Sequence, residues 1–432
     1  MSGNGAVTAH LEATPVASAF PPMHLIERRL PRPRVDDPER ATEAALAGLD
    51  LAARVRGKRI AVTAGSRGIR DIVPVLRAAV AHLRRCGAEP IVIAAMGSHG
   101  GGTADGQRRV LKHLGITEAA VGAPISTFME IVTLGRTPAG LTAYCDRVAA
   151  SCDGILVVNR IKPHTAFGEP FGSGLMKMLG VGLGKVEGAA QIHRQGPTEM
   201  AAAIRAIAQV YLDRGVVVGG VAIVENAYDE TAIIEAVPPE AIIERELPLF
   251  AQAQAFLPRL PVDDLDVLVV DEISKTYSGT GMDTNVIGRW RIAGLPEPSA
   301  PRIGRIVVLR LAPASEGNAQ GIGLADLTTQ RLVDAIDRKT TNLNIITSTY
   351  LQRGFIPITL ASDRDAIEAA FDTLGITDRA SALVMRIPNT LHLERVRASL
   401  AVADAIRGQE GVTVGPADDW PFLPDGRLAD LP

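Results

Sequence analysis

The sequence predicts an α/β fold: two α/β domains with largely parallel sheets and an active-site cleft between them. Three observations carry this. Short apolar runs alternate with amphipathic stretches from Lys58 onward, the βαβ rhythm of a parallel sheet covered by helices. A chain of 432 residues with 47% apolar content can bury more than one core. The stretch "AFLPRLPVDD", residues 255–264, breaks the rhythm with two prolines and a polar turn, after which the pattern restarts. The expected organisation is a loose leader over 1–22, a catalytic and cofactor-binding domain over 23–256, and a second domain over 257–432 that closes the cleft.

The elements follow in order. "RIAVT" is a strand, "DIVPVLRAAVAHLRRCG" a helix stopped by Gly87, and "PIVIAAM" the next strand. "TADGQRRVLKHLG" is a helix that Thr103 can cap, and "GILVVN" a third strand. The amphipathic "TEMAAAIRAIAQVYLDRG" leads into the buried-strand run "VVVGGVAIV". Beyond the boundary come strands in "LDVLVVDEI" and "RIVVLRL", then helices expected over 324–336, "LADLTTQRLVDAI", and over 392–406, "HLERVRASLAVADAI".

Composition excludes several function classes. A formal net charge of −3, from 45 basic and 48 acidic residues, offers no electrostatic footprint for nucleic acid or an anionic membrane. The apolar runs are shorter than the ~20 residues of a membrane-spanning helix, and the N-terminus lacks the basic-then-apolar order of a secretory signal. Cys86, Cys145 and Cys152 are too scattered for a disulfide framework. The expectation is a cytoplasmic protein with a small-molecule partner.

The polar oddities cluster by position rather than by spacing. "TAGSRGI" follows the first strand of the βαβ series, "MGSHGGG" the second and "NRIKPHT" the third. The carboxyl edge of a parallel sheet is where loops and helix N-termini converge on ligands. Arg67, His99 and His164 are therefore expected to be neighbours. In the second half, "DEISKTYSGTGMDTNVIGR" also follows a strand; Lys275 could reach a carboxylate across the cleft, with Asp283 and Asn285 suited to a polyhydroxylated substrate.

The stretch from Lys177 to His193 poses a geometric problem. One unbroken helix would leave these residues about 160° apart in direction and about 24 Å apart along the axis. Glycines 180, 182, 184 and 188 disfavour such a helix, each by about 1 kcal/mol relative to alanine, and a chain reversal would let Lys177 and His193 face one bound group. The glycines make no Walker loop, since Leu179 and Val186 occupy the positions that need Gly and Ser or Thr, and Glu187 breaks a GxGxxG fingerprint. Nor is there an HExxH or a Cys/His set for an all-protein metal site.

The ordered set "TAGSRG", "AAMGSHGGG", "NRIKPHT", "GLMKMLGVG" and "AAQIHRQ" resembles the nickel-dependent lactate racemase family, mainly over residues 58–200. The resemblance implies a nickel-pincer nucleotide, pyridinium-3,5-bisthiocarboxylic acid mononucleotide nickel, bound covalently to Lys177 with His193 as the protein ligand to nickel. It implies His99 and His164 as an opposed acid/base pair and Arg67 beside cofactor and substrate, with Ser66 and Thr63 in the cofactor-binding loop. Two sulfurs, a ring carbon and an imidazole nitrogen make the square-planar set that suits Ni(II). The implied activity is racemisation or epimerisation at C2 of a 2-hydroxy acid, lactate-like or a sugar acid, by proton and hydride transfer through a keto acid. The implied partners are the cofactor-assembly enzymes. The segment between His164 and Lys177 is longer than expected for lactate racemases. Two other readings stay open from the residues themselves: an NAD-linked 2-hydroxy-acid oxidoreductase, and a non-catalytic protein that binds a small acid or the cofactor.

Overall fold

A computed structural model describes residues 20–165 and 171–431. Most of the expected leader, residues 1–19, and residues 166–170 of the long segment before Lys177 lie outside the described residues. The strands are β1 (Met23–Arg28), β2 (Arg59–Ala64), β3 (Glu89–Ala94), β4 (Ile125–Ser126), β5 (Ile131–Arg136), β6 (Thr142–Asp146), β7 (Gly154–Arg160), β8 (Val217–Glu225) and β9 (Thr231–Val237). They continue with β10 (Asp264–Ile273), β11 (Arg302–Leu311), β12 (Leu327–Thr329), β13 (Ile358–Leu360), β14 (Val384–Ile387), β15 (Arg395–Ser399) and β16 (Val412–Asp418).

The α/β class with mostly parallel pairing holds. One sheet runs β4-β3-β2-β7-β8-β9, parallel except at β9. A third, two-stranded sheet pairs β5 with β6 antiparallel, and the largest sheet runs β13-β12-β11-β10-β14-β15-β1-β16. Its first five strands are parallel, and β15, β1 and β16 are added antiparallel. Buried-strand sequences drive both larger sheets: Ile60, Ala61, Val62, Thr63 and Ala64 are all buried, as are residues 267 to 271 of β10. Such two-sided burial leaves no alternation. The helix Ile72–Arg85 lays Val75, Leu76, Ala79 and Leu83 against one face of the first sheet. The helix Gly196–Asp213 covers the other face with Ile204, Ile207, Ala208 and Tyr211.

Two expected helices are corrected in part. Residues 395–399 form β15 and only Leu400–Ile406 is helical, because "RVRAS" alternates: Val396 and Ala398 are buried while Arg395 is exposed and Arg397 half-buried. That period of two is strand logic. Likewise residues 327–329 form β12, its Thr328 and Thr329 hydroxyls donating to the Val308 and Leu309 carbonyls at 2.8 and 2.7 Å, and the helix shrinks to Gln330–Asp334. Strand β1 leaves the neighbourhood of the strands that follow it in sequence and pairs with β15 and β16. The sheet containing the last third of the chain therefore includes residues 23–28. The segment 257–263 joins the helix Ile242–Phe256 to β10, where the six-stranded sheet gives way to the eight-stranded one.

Candidate active site

Because β2, β3 and β7 are parallel, the loops after them open on one edge. After β2, Ser66 hydrogen-bonds the Nδ1 of His99 in the loop after β3. This leaves Nε2 as the ring nitrogen of His99 not held by Ser66. The backbone beyond His99 depends on glycine: Gly100, Gly101 and Gly102 all have positive φ, 68°, 69° and 64°, a region that costs L-residues with side chains. A Cβ on Gly100 would also lie 2.5 Å from the Gly106 carbonyl carbon. Thr103 caps the helix Ala104–His113 by accepting from Gly106 N at 3.1 Å. Gln107 on that helix donates to the Gly97 carbonyl at 2.9 Å, steadying the turn that presents His99.

The glycine ladder is not one straight α-helix. Lys177 ends a helical turn over Leu175–Lys177, a π-helical turn spans Met178–Gly182, and Lys185 interrupts the run with φ of 51° before residues up to His193. The glycines permit close approach. A Cβ on Gly182 would sit 2.7 Å from the Ala95 carbonyl oxygen, and one on Gly184 would sit 2.7 Å from the Gly180 carbonyl oxygen. Gly97 N donates to Gly182 O at 3.2 Å, joining the His99 loop to the ladder. The second lysine of the ladder is committed elsewhere. Lys185 is fully buried, with Nζ 2.9 Å from Asp146 and donating to the Ala94 carbonyl at 2.6 Å. Lys177 is half-buried. The turn carrying it is held by Glu246, a buried carboxylate that accepts from Met176 N at 3.0 Å.

His164 stands in the loop after β7, closed at its base by the Lys162–Ser173 bridge. The next residue, Thr165, meets the second half of the chain: its carbonyl accepts from Thr284 Oγ1 at 3.0 Å and from Arg353 Nη2 at 2.8 Å. After β10, Lys275 donates to Gln320 and Asn344 at 3.1 and 2.6 Å. The Gly279 Cα hydrogen direction faces the Arg67 guanidinium, which a Cβ there would meet at 3.5 Å.

Electrostatics show that these groups share one environment. The His99 imidazole is held down to about 3, by loss of water and then by the positive fields of Arg67, Lys177, Lys275 and His193. The ring of His99 is therefore neutral at pH 7. His164 lies well below its usual value through burial, then Lys177, Arg67, His193 and Arg353. His193 is lowered by burial and Lys177. Burial and Arg67 bring Lys177 down to about 7 and Lys275 to about 8. Cations crowded together in this way make a seat for an anion.

The structure thus brings together Arg67, Ser66, His99, His164, Lys177, His193 and Lys275. Thr63 does not join them. It is fully buried, and its hydroxyl donates to the Val158 carbonyl at 3.1 Å and accepts from Val158 N at 2.8 Å, tying β2 to β7. Asp283 and Asn285 satisfy each other: the Asp283 carboxylate accepts from the backbone and side-chain N–H of Asn285, both at 2.9 Å, and caps the turn Thr284–Ile287. Sequence reasoning missed Arg353 and Glu246. Glu246 carries a weak signal, a lone acid at a buried position of an amphipathic helix, and burial pushes it up to about 7. Among the described residues, no three His, Cys, Asp or Glu side chains group as metal ligands, and Nδ1 of His193 is buried without a hydrogen-bond partner.

Residues 72–419 match the profile of the family described as Domain of unknown function (DUF362). Among solved structures, the fold is similar to that of the lactate racemase apoprotein from Thermoanaerobacterium thermosaccharolyticum. The TM-score is 0.55 at 14% identity, over 85% of this chain and 98% of that one. No curated protein matches the sequence. At that identity the likeness speaks for the fold.

Proposed function

This chain belongs to the DUF362 domain family, and from that premise we propose that it is a racemase or epimerase acting at C2 of a 2-hydroxy acid, its site lying in a cleft between the two halves. The observation that supports this best is the meeting of two neutral imidazoles, His99 and His164, with the cations Arg67 and Lys275 and an amine, Lys177, lowered to about 7. The similar solved fold is that of a lactate racemase, which agrees with it.

The residues suit a nickel-pincer nucleotide. Lys177 has an appreciable neutral-amine fraction at pH 7, as an acyl attachment requires, and His193, whose buried Nδ1 has no hydrogen-bond partner, can give one nitrogen to a metal whose other ligands arrive with an organic group. When bound, that group supplies the acceptor and donor of the C2 hydride. The chain's own part is acid–base and positional. Arg67 and Lys275 pair with the substrate carboxylate. His99, turned by Ser66, and His164 each take or return the hydroxyl proton of one stereoisomer, being neutral and so ready as bases. The protein works without membrane or nucleic acid partners and is loaded by cofactor-assembly enzymes in the cytoplasm.

The test is to produce the chain together with such enzymes and measure intact mass and nickel. A nucleotide adduct should map to Lys177 and vanish in Lys177→Ala, with nickel near one per chain and reduced in His193→Ala while the adduct persists. A chain that stays unmodified, or is modified at Lys185, sinks the reading.

A further inference from the structure

Arg353 lies in "YLQRGF", far in sequence from every motif above, and is one of the largest fully buried side chains, 1% exposed. Among the described residues, no carboxylate forms an ion pair with it. Its Nε donates to the Trp290 carbonyl at 2.8 Å and its Nη2 to the Thr165 carbonyl at 2.8 Å, while Nη1 is buried without a hydrogen-bond partner. Its guanidinium stacks over the Tyr350 ring, 4.9 Å from the centroid. Burying a guanidinium against neutral carbonyls is costly, and a neutral side chain would fill the space more cheaply. The site that receives it is specific: Thr165 directly follows His164, and the same carbonyl is held by Thr284 from another element of the second half.

We propose that Arg353 is a positioning residue for His164. With Thr284 it forms a two-donor clasp on the Thr165 carbonyl, by which the second half of the chain fixes the loop bearing that histidine. It rests on the racemase reading only for what His164 does in turnover; the clasp itself belongs to the cofactor-free chain. A charged donor gives the stronger of the two bonds, and the planar fork lets one side chain span Trp290 and Thr165. Lysine could serve one carbonyl at a time, and methionine neither.

Hydrogen exchange on the cofactor-free chain tests the clasp directly. The amides of Ile161 and Lys162, bonded to Ile223 and Ser173, should exchange about ten-fold faster in Arg353→Met. Arg353→Lys should fall between, and the amides of β8 should stay at wild-type rates. The side-chain 15N resonances of His164 should shift in Arg353→Met and return toward wild type in Arg353→Lys. Thr284→Val, which removes the second donor without uncovering a charge, should give a smaller change in the same amides and answers the case in which Arg353→Met does not fold. In loaded enzyme, Arg353→Met should lower kcat up to about 100-fold with KM for the hydroxy acid little changed. Unaltered exchange at 161–162 and unaltered His164 resonances in both Arg353→Met and Thr284→Val overturn the clasp. A wild-type chain that never racemises overturns the racemase reading and leaves the exchange result standing.

Discussion

His99 and His164 arrive at neutrality in different settings. His99 sits at an exposed turn with Nδ1 on Ser66, whereas His164 is half-buried beside the clasped Thr165. If they serve opposite faces of the substrate carbon, His99→Ala and His164→Ala should each cost ~10²–10⁴-fold in turnover in both directions. In single turnovers one variant should still convert one isomer to its keto acid, and the other variant the mirror isomer. Loss of the same half-reaction in both would put the histidines on one face. Both were legible because each follows a predicted strand in a glycine- or proline-marked loop. Arg353 was not, because nothing local to "YLQRGF" marks an arginine that folds inward, and its partners Trp290 and Thr165 are 63 and 188 residues away.

At the scale of elements, the glycine ladder does two jobs that the sequence could not separate. The break between Lys177 and His193 was expected from the cost of glycine in helices, and it occurs, but at Lys185, with a π-helical turn before it. The tight approach of the ladder to β3 and to itself was invisible, since contacts such as Gly97 to Gly182 join segments 85 residues apart. Gly184→Ala tests that packing. Its Cβ would press on backbone at both Gly180 O, 2.7 Å, and Gly188 Cα, 2.9 Å. Neither can rotate away, and overpacking of this kind costs about 1–3 kcal/mol. Chemical denaturation should show that loss of stability, while Gly101→Ala, which meets no atom within 4 Å, should show only the smaller cost of its positive φ. Equal stability of Gly184→Ala and wild type would mean that the ladder has slack. Strands β12 and β15 teach the complementary lesson: three- and five-residue strands were absorbed into helices because so short a run beside an amphipathic helix carries too few residues to set its own period.

For the whole molecule, a site of crowded cations should appear in the pH dependence of stability. Between pH 4.5 and 6.5 the signals conflict. The depressed histidines bind fewer protons folded than unfolded, so they favour stability at higher pH, while Glu246, raised to about 7, binds more and favours lower pH. From pH 7 to 9 the lysines dominate, although Glu246 opposes them near pH 7 and the raised thiols of Cys145 and Cys152 oppose them toward pH 9. There Lys177, about 7 when folded against an ordinary 10.5, and Lys275, about 8, hold fewer protons in the native chain than in the unfolded one. Stability therefore rises with pH across this window. Melting of the cofactor-free chain should move upward from pH 7 to pH 9, and Lys177→Met should flatten the rise by removing its largest contributor. Inorganic phosphate, binding the folded cation cluster, should raise Tm by mass action, and more at pH 7, where the lysines are more fully charged, than at pH 9. Arg67→Met should blunt that gain, because Arg67 depresses both lysines and both acid–base histidines and so stands nearest the centre of the positive field. A Tm that is flat or falling from pH 7 to 9, with phosphate acting equally on wild type and Arg67→Met, would mean that the two halves do not present their cations to a common anion.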